Sequence, residues 1–326
     1  MIGLDTSKCY GFEKHRSGWN YAITSLLPYH TLSGIPVDGF LEHSFSWGVE
    51  EYLHGANPHN IPYSRPWVGF LHNPPNMPSW FDSFNSPEAI FNRDVFRQSL
   101  KSCVAIITLS DYLKGWVNKN CDNQVISVRH PTGTNVPKWS IDKFLNESRP
   151  TILQIGYWLR KLESIAKLKA PYPFKKFWLP SDWSYAELLL EVYTKTNKDF
   201  YEEKQNWATV KVIHDWLDHS EYDRMLTSGI VFLDLYDSSA NNAVIECIAR
   251  NTPLLVNRLP AVVEYCGEDY PLYFDDLDHA ASLLYNKDKI IEAHTYFKNM
   301  DKRWIGGAYF AADLQDKLSE ILIGGA

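Results

Sequence analysis

The segment Ile230–Asp276 holds the residues whose types and spacing point most directly to chemistry. It opens with an apolar run (IVFLDL) that predicts a buried strand, continues through a small polar loop, and then enters a helix with Glu246 one turn inside it. The loop residues are Ser238, Ser239, Ala240, Asn241 and Asn242. A helix that begins behind small residues presents free backbone N–H groups and the positive end of its dipole, so it can bind an anion such as phosphate. A carboxylate one turn further on can accept hydrogen bonds from two hydroxyl groups, as a ribose diol offers. A plain strand–turn–helix with a capping residue and a solvated Glu246 explains the same pattern equally well.

A pair of cations follows the strand predicted at Thr151–Ile155 (TILQI). That strand ends at Gly156, and Arg160 and Lys161 come shortly after it. Two cations beside the end of a strand can stabilise a negatively charged group such as a phosphate without any proton transfer. The alternative is that both lie at the solvated start of a helix. A phosphate site is the interpretation that we favour.

The elements that must position these residues alternate between short apolar runs and longer segments with helical spacing, which is typical of an α/β protein with parallel sheets. The predicted strands are Ile2–Leu4, Trp67–Leu71, Cys103–Leu109, Val125–Val128, Thr151–Ile155, Phe177–Leu179, Val210–Ile213, Ile230–Leu235 and Leu254–Val256. The predicted helices include Trp19–Leu27, one capped by Ser110, one over residues 242–250 and one over residues 307–322.

The stretch Thr132–Pro150 is polar and bounded by prolines, so it is interpreted as an interdomain linker. This predicts an N-terminal domain over residues 1–140 and a C-terminal domain over residues 151–302. A closing helix over residues 303–326 is expected to pack back on the first domain.

The order of these motifs resembles that of the GT-B glycosyltransferases, and in particular of the large retaining family 4. In that family a strand, a loop and a helix read roughly Glu-x7-Glu, followed by a Gly-x-Pro turn and a further glutamate after a proline. Glu246 matches the second glutamate, Asn251-Thr252-Pro253 matches the turn, and Leu259-Pro260 with Glu264 matches the later element. The first glutamate falls at Ser238, with Asp237 one place before it, so the motif is incomplete and the stereochemical outcome stays open.

The resemblance implies two Rossmann-like domains with parallel sheets facing a central cleft. It implies transfer of a hexosyl group from a UDP-, GDP- or ADP-linked sugar to a hydroxyl acceptor, with retention and without a metal or other cofactor. His72, at the end of a predicted strand, would contact the transferred sugar, and Gly18 would approach the donor phosphates from the first domain. The donor-binding residues in the second part of the chain would be Gly156, Arg160, Lys161, Trp216, Leu217, Ser239, Ala240, Asn241, Asn242 and Glu246. Trp216 and Leu217 are candidates for contact with the base, and a core position explains Trp216 equally well.

Composition excludes several classes of protein. The 326 residues are 45% hydrophobic, which disfavours a disordered chain. They carry a formal charge of −7, which disfavours non-specific binding to nucleic acid. No run of about 18 uncharged apolar residues is present, and the start of the chain lacks the order of a signal peptide, so a cytoplasmic protein is expected. The five cysteines and eleven histidines form no metal-binding motif, so no metal site is predicted. Aromatic residues reach 14%, which suits a protein that holds flat sugar rings or bases.

Two other functions fit the same residues. One is a sugar-nucleotide epimerase of GT-B architecture, which would isomerise its substrate without an acceptor. The other is a non-catalytic module that binds a nucleotide, consistent with the incomplete glutamate pair. The acceptor is open among glycans, lipid-linked sugars and small hydroxyl compounds, and so is the oligomeric state.

Overall fold

The computed structural model describes residues 1–9, 18–48, 61–180, 182–196 and 204–324. Contacts along the chain separate two compact units. The first consists of Met1–Gly133, Asp237–Asn242 and Lys302–Ala326, and the second of Thr134–Tyr236 and Ala243–Asp301. Each unit is built on one parallel β-sheet, which confirms the predicted α/β fold class with two parallel-sheet domains.

The first sheet has five parallel strands in sequential order. They are β1 (Leu4–Asp5), β2 (Ile35–Asp38), β3 (Trp67–Leu71), β4 (Cys103–Thr108) and β5 (Val125–Ser127). All five residues of β3 are buried, as expected of a strand covered on both faces. Val68 and Phe70 belong to one core cluster, whereas Trp67 and Leu71 belong to another, because successive side chains point to opposite faces.

Helices cover both faces of the first sheet. The helices of this unit are α1 (Trp19–Thr24), α2 (Pro87–Phe91), α3 (Asp94–Leu100), α4 (Asp111–Asn120) and, from the end of the chain, α14 (Gly307–Gly324). The predicted cap of α4 is confirmed, since the Ser110 hydroxyl accepts a hydrogen bond from the Leu113 amide at 3.3 Å. Phe310, Leu314 and Leu318 of α14 lie in the same core cluster as the side chains of α1.

The second sheet has six parallel strands in the order β11–β10–β9–β6–β7–β8. They are β6 (Thr151–Ile155), β7 (Lys175–Leu179), β8 (Val210–Val212), β9 (Ile230–Leu233), β10 (Leu254–Asn257) and β11 (Tyr273–Phe274). Counted within the unit this is the order 3-2-1-4-5-6 of the Rossmann fold, and the direction of winding changes between β6 and β9. Ligands of open α/β sheets bind at the carboxyl ends of the strands beside such a switch point.

The helices of the second unit are short, apart from three of ten residues or more. They are α5 (Ile141–Asn146), α6 (Ser164–Lys167), α7 (Trp183–Thr196), α8 (Lys204–Trp207), α9 (His219–Ser228), α10 (Asn242–Arg250), α11 (Pro260–Cys266), α12 (Leu277–Tyr285) and α13 (Lys287–Asn299). Among the described residues, no helix is both long and apolar enough to cross a membrane.

The predicted linker Thr132–Pro150 is largely an ordered part of the second unit. It contains α5, and the chain passes from the first unit to the second at Gly133–Thr134 rather than near residue 140. Trp139 is 3% exposed, and its indole N–H donates to the Gly229 carbonyl at 2.8 Å. One buried tryptophan therefore ties a segment of polar composition into the core, and the hydrophobic pattern does not reveal this.

Candidate functional site

The predicted cations of the second unit lie at the carboxyl ends of two neighbouring strands, β6 and β9. β6 and β9 are hydrogen-bonded neighbours, with Ile152 opposite Ile230. Gly156 to Lys161 follow β6, and Asp234 follows β9. These residues thus lie at the switch point of the Rossmann order, where a nucleotide site is expected.

Arg160 folds back over the end of β6. Its Nε donates to the Ile155 carbonyl at 3.0 Å and its Nη1 to the Trp158 carbonyl at 2.5 Å. Gly156 has φ +76°, and a Cβ there would lie 3.3 Å from the Arg160 guanidinium, so a side chain would be strained and crowded. Burial lowers the pKa of Arg160 to about 10, which leaves it charged at neutral pH. Bonds to carbonyl groups orient this cation without neutralising it.

Lys161 forms an ion pair, and its partner was not foreseen from the sequence. Its Nζ lies 2.9 Å from Oδ1 of Asp234, whose side chain is 7% exposed against 37% for Lys161. The second carboxylate oxygen of Asp234 accepts a hydrogen bond from the Ser164 hydroxyl at 2.8 Å. The sequence did contain a signal for this pair, because Asp234 is an acidic residue near the end of the apolar run IVFLDL. The carboxyl ends of neighbouring parallel strands lie at the same edge of a sheet, so Asp234 can reach a cation that follows another strand. Part of the Lys161 charge is therefore already balanced.

Glu246 is buried, so the interpretation of a solvated glutamate is wrong. It is 4% exposed, and its Oε2 accepts a hydrogen bond from the Tyr222 hydroxyl of α9 at 2.5 Å. Arg250, one turn further along α10 and fully buried, places Nη1 3.8 Å from Oε1 of Glu246. Arg250 also donates to Oδ1 of Asp223 from Nη2 at 2.7 Å and from Nε at 3.2 Å. Two carboxylates thus share one guanidinium.

Tyr222 belongs to α9, which packs against β6, the strand that Arg160 follows. Burial, together with the neighbouring charge of Glu246, raises the pKa of Tyr222 well above its ordinary value, so its hydroxyl stays protonated and donates to the carboxylate. Adjoining elements of the second unit therefore hold Arg160 and the Tyr222–Glu246 pair, although 86 positions separate Arg160 from Glu246. Sequence reasoning missed Tyr222, Asp223 and Arg250.

Trp216 and Leu217 lie in the loop between β8 and α9. Trp216 is 59% exposed, so the interpretation of a core tryptophan is wrong. Leu217 is partly buried. Their loop follows β8, which is two strands from β6 and hence about 10 Å away across the sheet.

The polar loop after β9 groups with the first unit. The carboxylate of Asp237 accepts hydrogen bonds from the Asn76 amide and from the Tyr112 hydroxyl, both at 2.9 Å. The Ser239 hydroxyl lies 3.3 Å from that of Ser110, and Ser239 is 1% exposed. Of the remaining residues Ser238 and Asn241 are buried, Ala240 is partly buried and Asn242 is exposed. Asp237 and Ser239 therefore hold this predicted phosphate loop.

His72 follows β3 in the first unit and is neutral. Its Nε2 lies 3.1 Å from the Gly39 carbonyl, which can only accept, so Nε2 carries the proton and Nδ1 is an acceptor. Trp19 and Phe40 both pack on the ring, with centroids at 4.3 Å. Burial lowers the pKa of His72 to about 3. The group can accept a hydrogen bond from a hydroxyl but is a weak base.

Trp19 follows Gly18 in the chain and lies close to a second histidine, His130. Gly18 is buried and precedes Trp19 as the N-cap of the six-residue α1, while Ser17 before it lies outside the described residues. His130 is 4% exposed, and its ring centroid lies 5.7 Å from that of Trp19. Its Nδ1 donates to the Pro131 carbonyl at 2.8 Å, and burial lowers its pKa to about 4. His130 is not among the candidate residues that the sequence analysis names.

Two parallel-sheet α/β units, one with Rossmann strand order, correspond to the GT-B fold. Similar solved structures agree with this fold. Sucrose-phosphate synthase from Thermosynechococcus elongatus superposes with a TM-score of 0.60 at 15% identity, over 89% of this chain and 73% of that one. HepE from Anabaena, in complex with UDP-glucose, gives 0.60 at 10% identity, over 88% and 78%. The trehalose-6-phosphate synthase OtsA gives 0.54 at 12% identity, over 93% and 75%. No family model matches the sequence, and no curated protein matches it either.

Proposed function

We propose that this chain is a glycosyltransferase that moves a hexosyl group from a nucleotide-sugar to a hydroxyl acceptor, with retention and without a bound metal. The observation that carries the proposal is that Arg160 follows β6 while the buried Tyr222–Glu246 pair lies on α9 and α10, the helices that flank β9 on the other side of the switch point. A cation for phosphate beside a buried carboxylate for hydroxyl groups is what a nucleoside diphosphate requires. The similar structures support a nucleotide-sugar as the ligand, since HepE was solved with UDP-glucose.

Each residue has a role in this proposal. Glu246 binds the ribose hydroxyl groups through its carboxylate. Arg160 and Lys161 stabilise the charge that develops as the nucleoside diphosphate leaves, a form of catalysis that needs no proton transfer. The backbone amides of Ser239 to Asn242 and of Gly18 add donors for the phosphates, with Gly156 leaving room beside them. Trp216 and Leu217 contact the base, and Nδ1 of His72 accepts a hydrogen bond from a hydroxyl group of the sugar.

Retention is proposed from the resemblance to the retaining family, and the chemistry of His72 agrees with it. Inverting transfer needs a general base that takes the proton of the attacking hydroxyl, and an effective base has a pKa near the working pH. A histidine with a pKa of about 3 is a poor candidate for that task. It remains a good hydrogen-bond acceptor, which suits a residue that orients the sugar.

Transfer without a metal is proposed because Arg160 and Lys161 supply positive charge after β6, at the edge of the sheet where ligands of open α/β sheets bind. Within the described ranges, no group of three or more His, Cys, Asp or Glu side chains is placed to hold a metal ion. Turnover in the presence of excess EDTA is therefore expected to equal turnover without it. Complete loss with EDTA, restored by Mn²⁺, would contradict the roles given to Arg160 and Lys161.

The test starts with thermal unfolding in the presence of UDP, GDP, ADP and their glucose conjugates. A ligand at 100 times its dissociation constant adds about 2.7 kcal/mol to the free energy of unfolding, which identifies the base. Turnover of the selected nucleotide-sugar is then followed by NMR, with glycans and small alcohols as acceptors. Transfer with an unchanged anomeric configuration is the expected result. Isomerisation of the donor alone would favour the epimerase, and binding without turnover would favour the non-catalytic module.

A further inference from the structure

A buried carboxylate, Glu42, stands at the carboxyl edge of the first sheet. It is 1% exposed and follows β2 at the start of a single π-helical turn, His43–Trp47. Such turns are rare and often lie at functional sites. Its Oε1 accepts hydrogen bonds from two consecutive backbone amides, His72 at 2.8 Å and Asn73 at 2.6 Å. Both amides belong to the end of β3, so Glu42 ties the segments that follow two neighbouring strands.

Burying the Glu42 carboxylate costs free energy of folding. A buried charge destabilises the fold unless it is paired, and the compensation of Glu42 comes from backbone amides. The other oxygen, Oε2, is buried and has no hydrogen-bond partner among the described residues. Burial raises the pKa of Glu42 to about 7. With or without a proton on Oε2, Oε1 keeps its lone pairs, so it can accept from both amides in either state.

One short segment, residues 39–42, contacts both the backbone and the ring of His72. Gly39 accepts the ring proton, Phe40 packs against the ring face, and Glu42 binds the backbone amide. The residue after His72 is fixed as well, since Asn73 Nδ2 donates to the Asn85 carbonyl at 2.9 Å. The direction of the His72 Nδ1 lone pair is therefore set by where residues 39–42 lie.

We propose that Glu42 is a positioning residue that fixes the backbone of His72 and thereby aims its Nδ1 at the sugar of a bound nucleotide-sugar. The inference rests on the proposed function for its effect on turnover. Its effect on the state of the His72 ring does not depend on any activity.

The test compares three substitutions at Glu42 in the full chain. Glu42→Gln keeps an oxygen that can accept from both amides, Glu42→Asp draws the carboxylate back by one methylene, and Glu42→Leu removes the acceptor. The matched control is Gln315→Leu. Gln315 is a buried side chain of the same unit that binds a backbone amide, Ile2 at 2.8 Å, at the amino end of the sheet.

The first measurement is the ¹⁵N NMR spectrum of the histidine rings, with the His72 signals assigned by their loss in His72→Gln. Wild type, Glu42→Gln and Gln315→Leu should show one fixed tautomer, with the proton on Nε2. Glu42→Asp and Glu42→Leu should show averaged tautomers. The second measurement is turnover of UDP-glucose, or of the conjugate selected by the thermal screen. A displacement of about 1 Å at a catalytic group costs up to about 100-fold, so kcat should fall by about that factor in Glu42→Leu with little change in KM. Glu42→Gln should restore it.

The outcomes separate this inference from the proposed function. Altered ring signals in a chain that turns over no nucleotide-sugar would support the positioning role and reject the proposed activity. Unaltered signals and unaltered kcat in Glu42→Asp or Glu42→Leu would overturn the positioning role. A fall in kcat of the same size in Gln315→Leu would also overturn it, because general destabilisation would then explain the effect. If Glu42→Leu does not fold, Glu42→Asp, which keeps the charge, decides the matter by the same two measurements.

Discussion

Replacing Glu246 with glutamine should weaken nucleotide binding far more than it weakens the fold. The substitution keeps the shape of the side chain and removes its charge. The ribose hydroxyl groups would then donate to a neutral amide oxygen. Because hydrogen bonds to charged groups contribute about 1.5–3 kcal/mol, affinity should fall by about 10- to 150-fold.

The effect on stability is smaller because two changes oppose each other. Glu246→Gln weakens the bond from Tyr222 and removes a carboxylate that lies 3.8 Å from Arg250. It also abolishes the cost of burying that carboxylate, which amounts to several kcal/mol, while Asp223 still pairs with Arg250. The free energy of unfolding should fall by about 0.5–1 kcal/mol, at the low end of the usual range for single substitutions.

The matched control is Tyr222→Phe, which keeps the carboxylate and removes its internal donor. Leaving Oε2 of the buried Glu246 without this bond should cost about 1.5–3 kcal/mol of unfolding free energy. Nucleotide affinity should stay within about threefold of wild type, since the carboxylate is still present. Isothermal titration calorimetry with the nucleoside diphosphate that wild type binds best, together with urea unfolding, measures both quantities. Unchanged affinity in a folded Glu246→Gln, or an equal loss of affinity in Tyr222→Phe, would refute the assignment of the ribose to Glu246.

Three further predictions concern charge, pH and packing. Lys161→Met should lower kcat/KM by about 10- to 100-fold, because it removes a cation and leaves Asp234 facing the leaving diphosphate. Lys169→Met, which removes an exposed lysine 3.1 Å from Asp278, should change kcat/KM by less than about twofold, and equal effects of the two would place Lys161 on the solvated surface. The pKa of His130 is about 4 in the folded state, so the unfolded chain takes up its proton first and stability is lost as pH falls from about 6.5 towards 4. In His130→Gln, the difference in urea stability between pH 7 and pH 5 should be smaller than in wild type, and an unchanged difference would speak against a neutral buried histidine. Trp139→Ala should lower the free energy of unfolding by about 3–5 kcal/mol in urea titrations, whereas a loss below about 1 kcal/mol would show that the segment around it is a linker.

The sequence determined most of the strands and the fold class. β3, β4 and β9 are almost continuous apolar runs, and such runs predict buried strands whatever surrounds them. Among the elements that escaped this reasoning are β2 and α5. β2 has only four residues, including a proline and an aspartate, and α5 lies in a polar stretch whose one large apolar anchor is Trp139. In both cases the burial comes from distant partners rather than from a repeating local pattern.

The sequence also located candidate groups for chemistry but not their states, which only the tertiary structure decided. The local sequence around Glu246 is equally compatible with a solvated and a buried side chain. The tertiary structure buries it, because α9 places Tyr222, which is 24 positions away in the chain, against its carboxylate. The sequence alone suggests that Lys161 is an ordinary surface cation. In the structure, the pairing of β6 with β9 brings Asp234 beside it. His72 becomes a neutral acceptor because Gly39, Trp19 and Phe40 enclose its ring. Desolvation and hydrogen bonding set the charge of each group, and both depend on residues far apart in the chain that packing brings into contact.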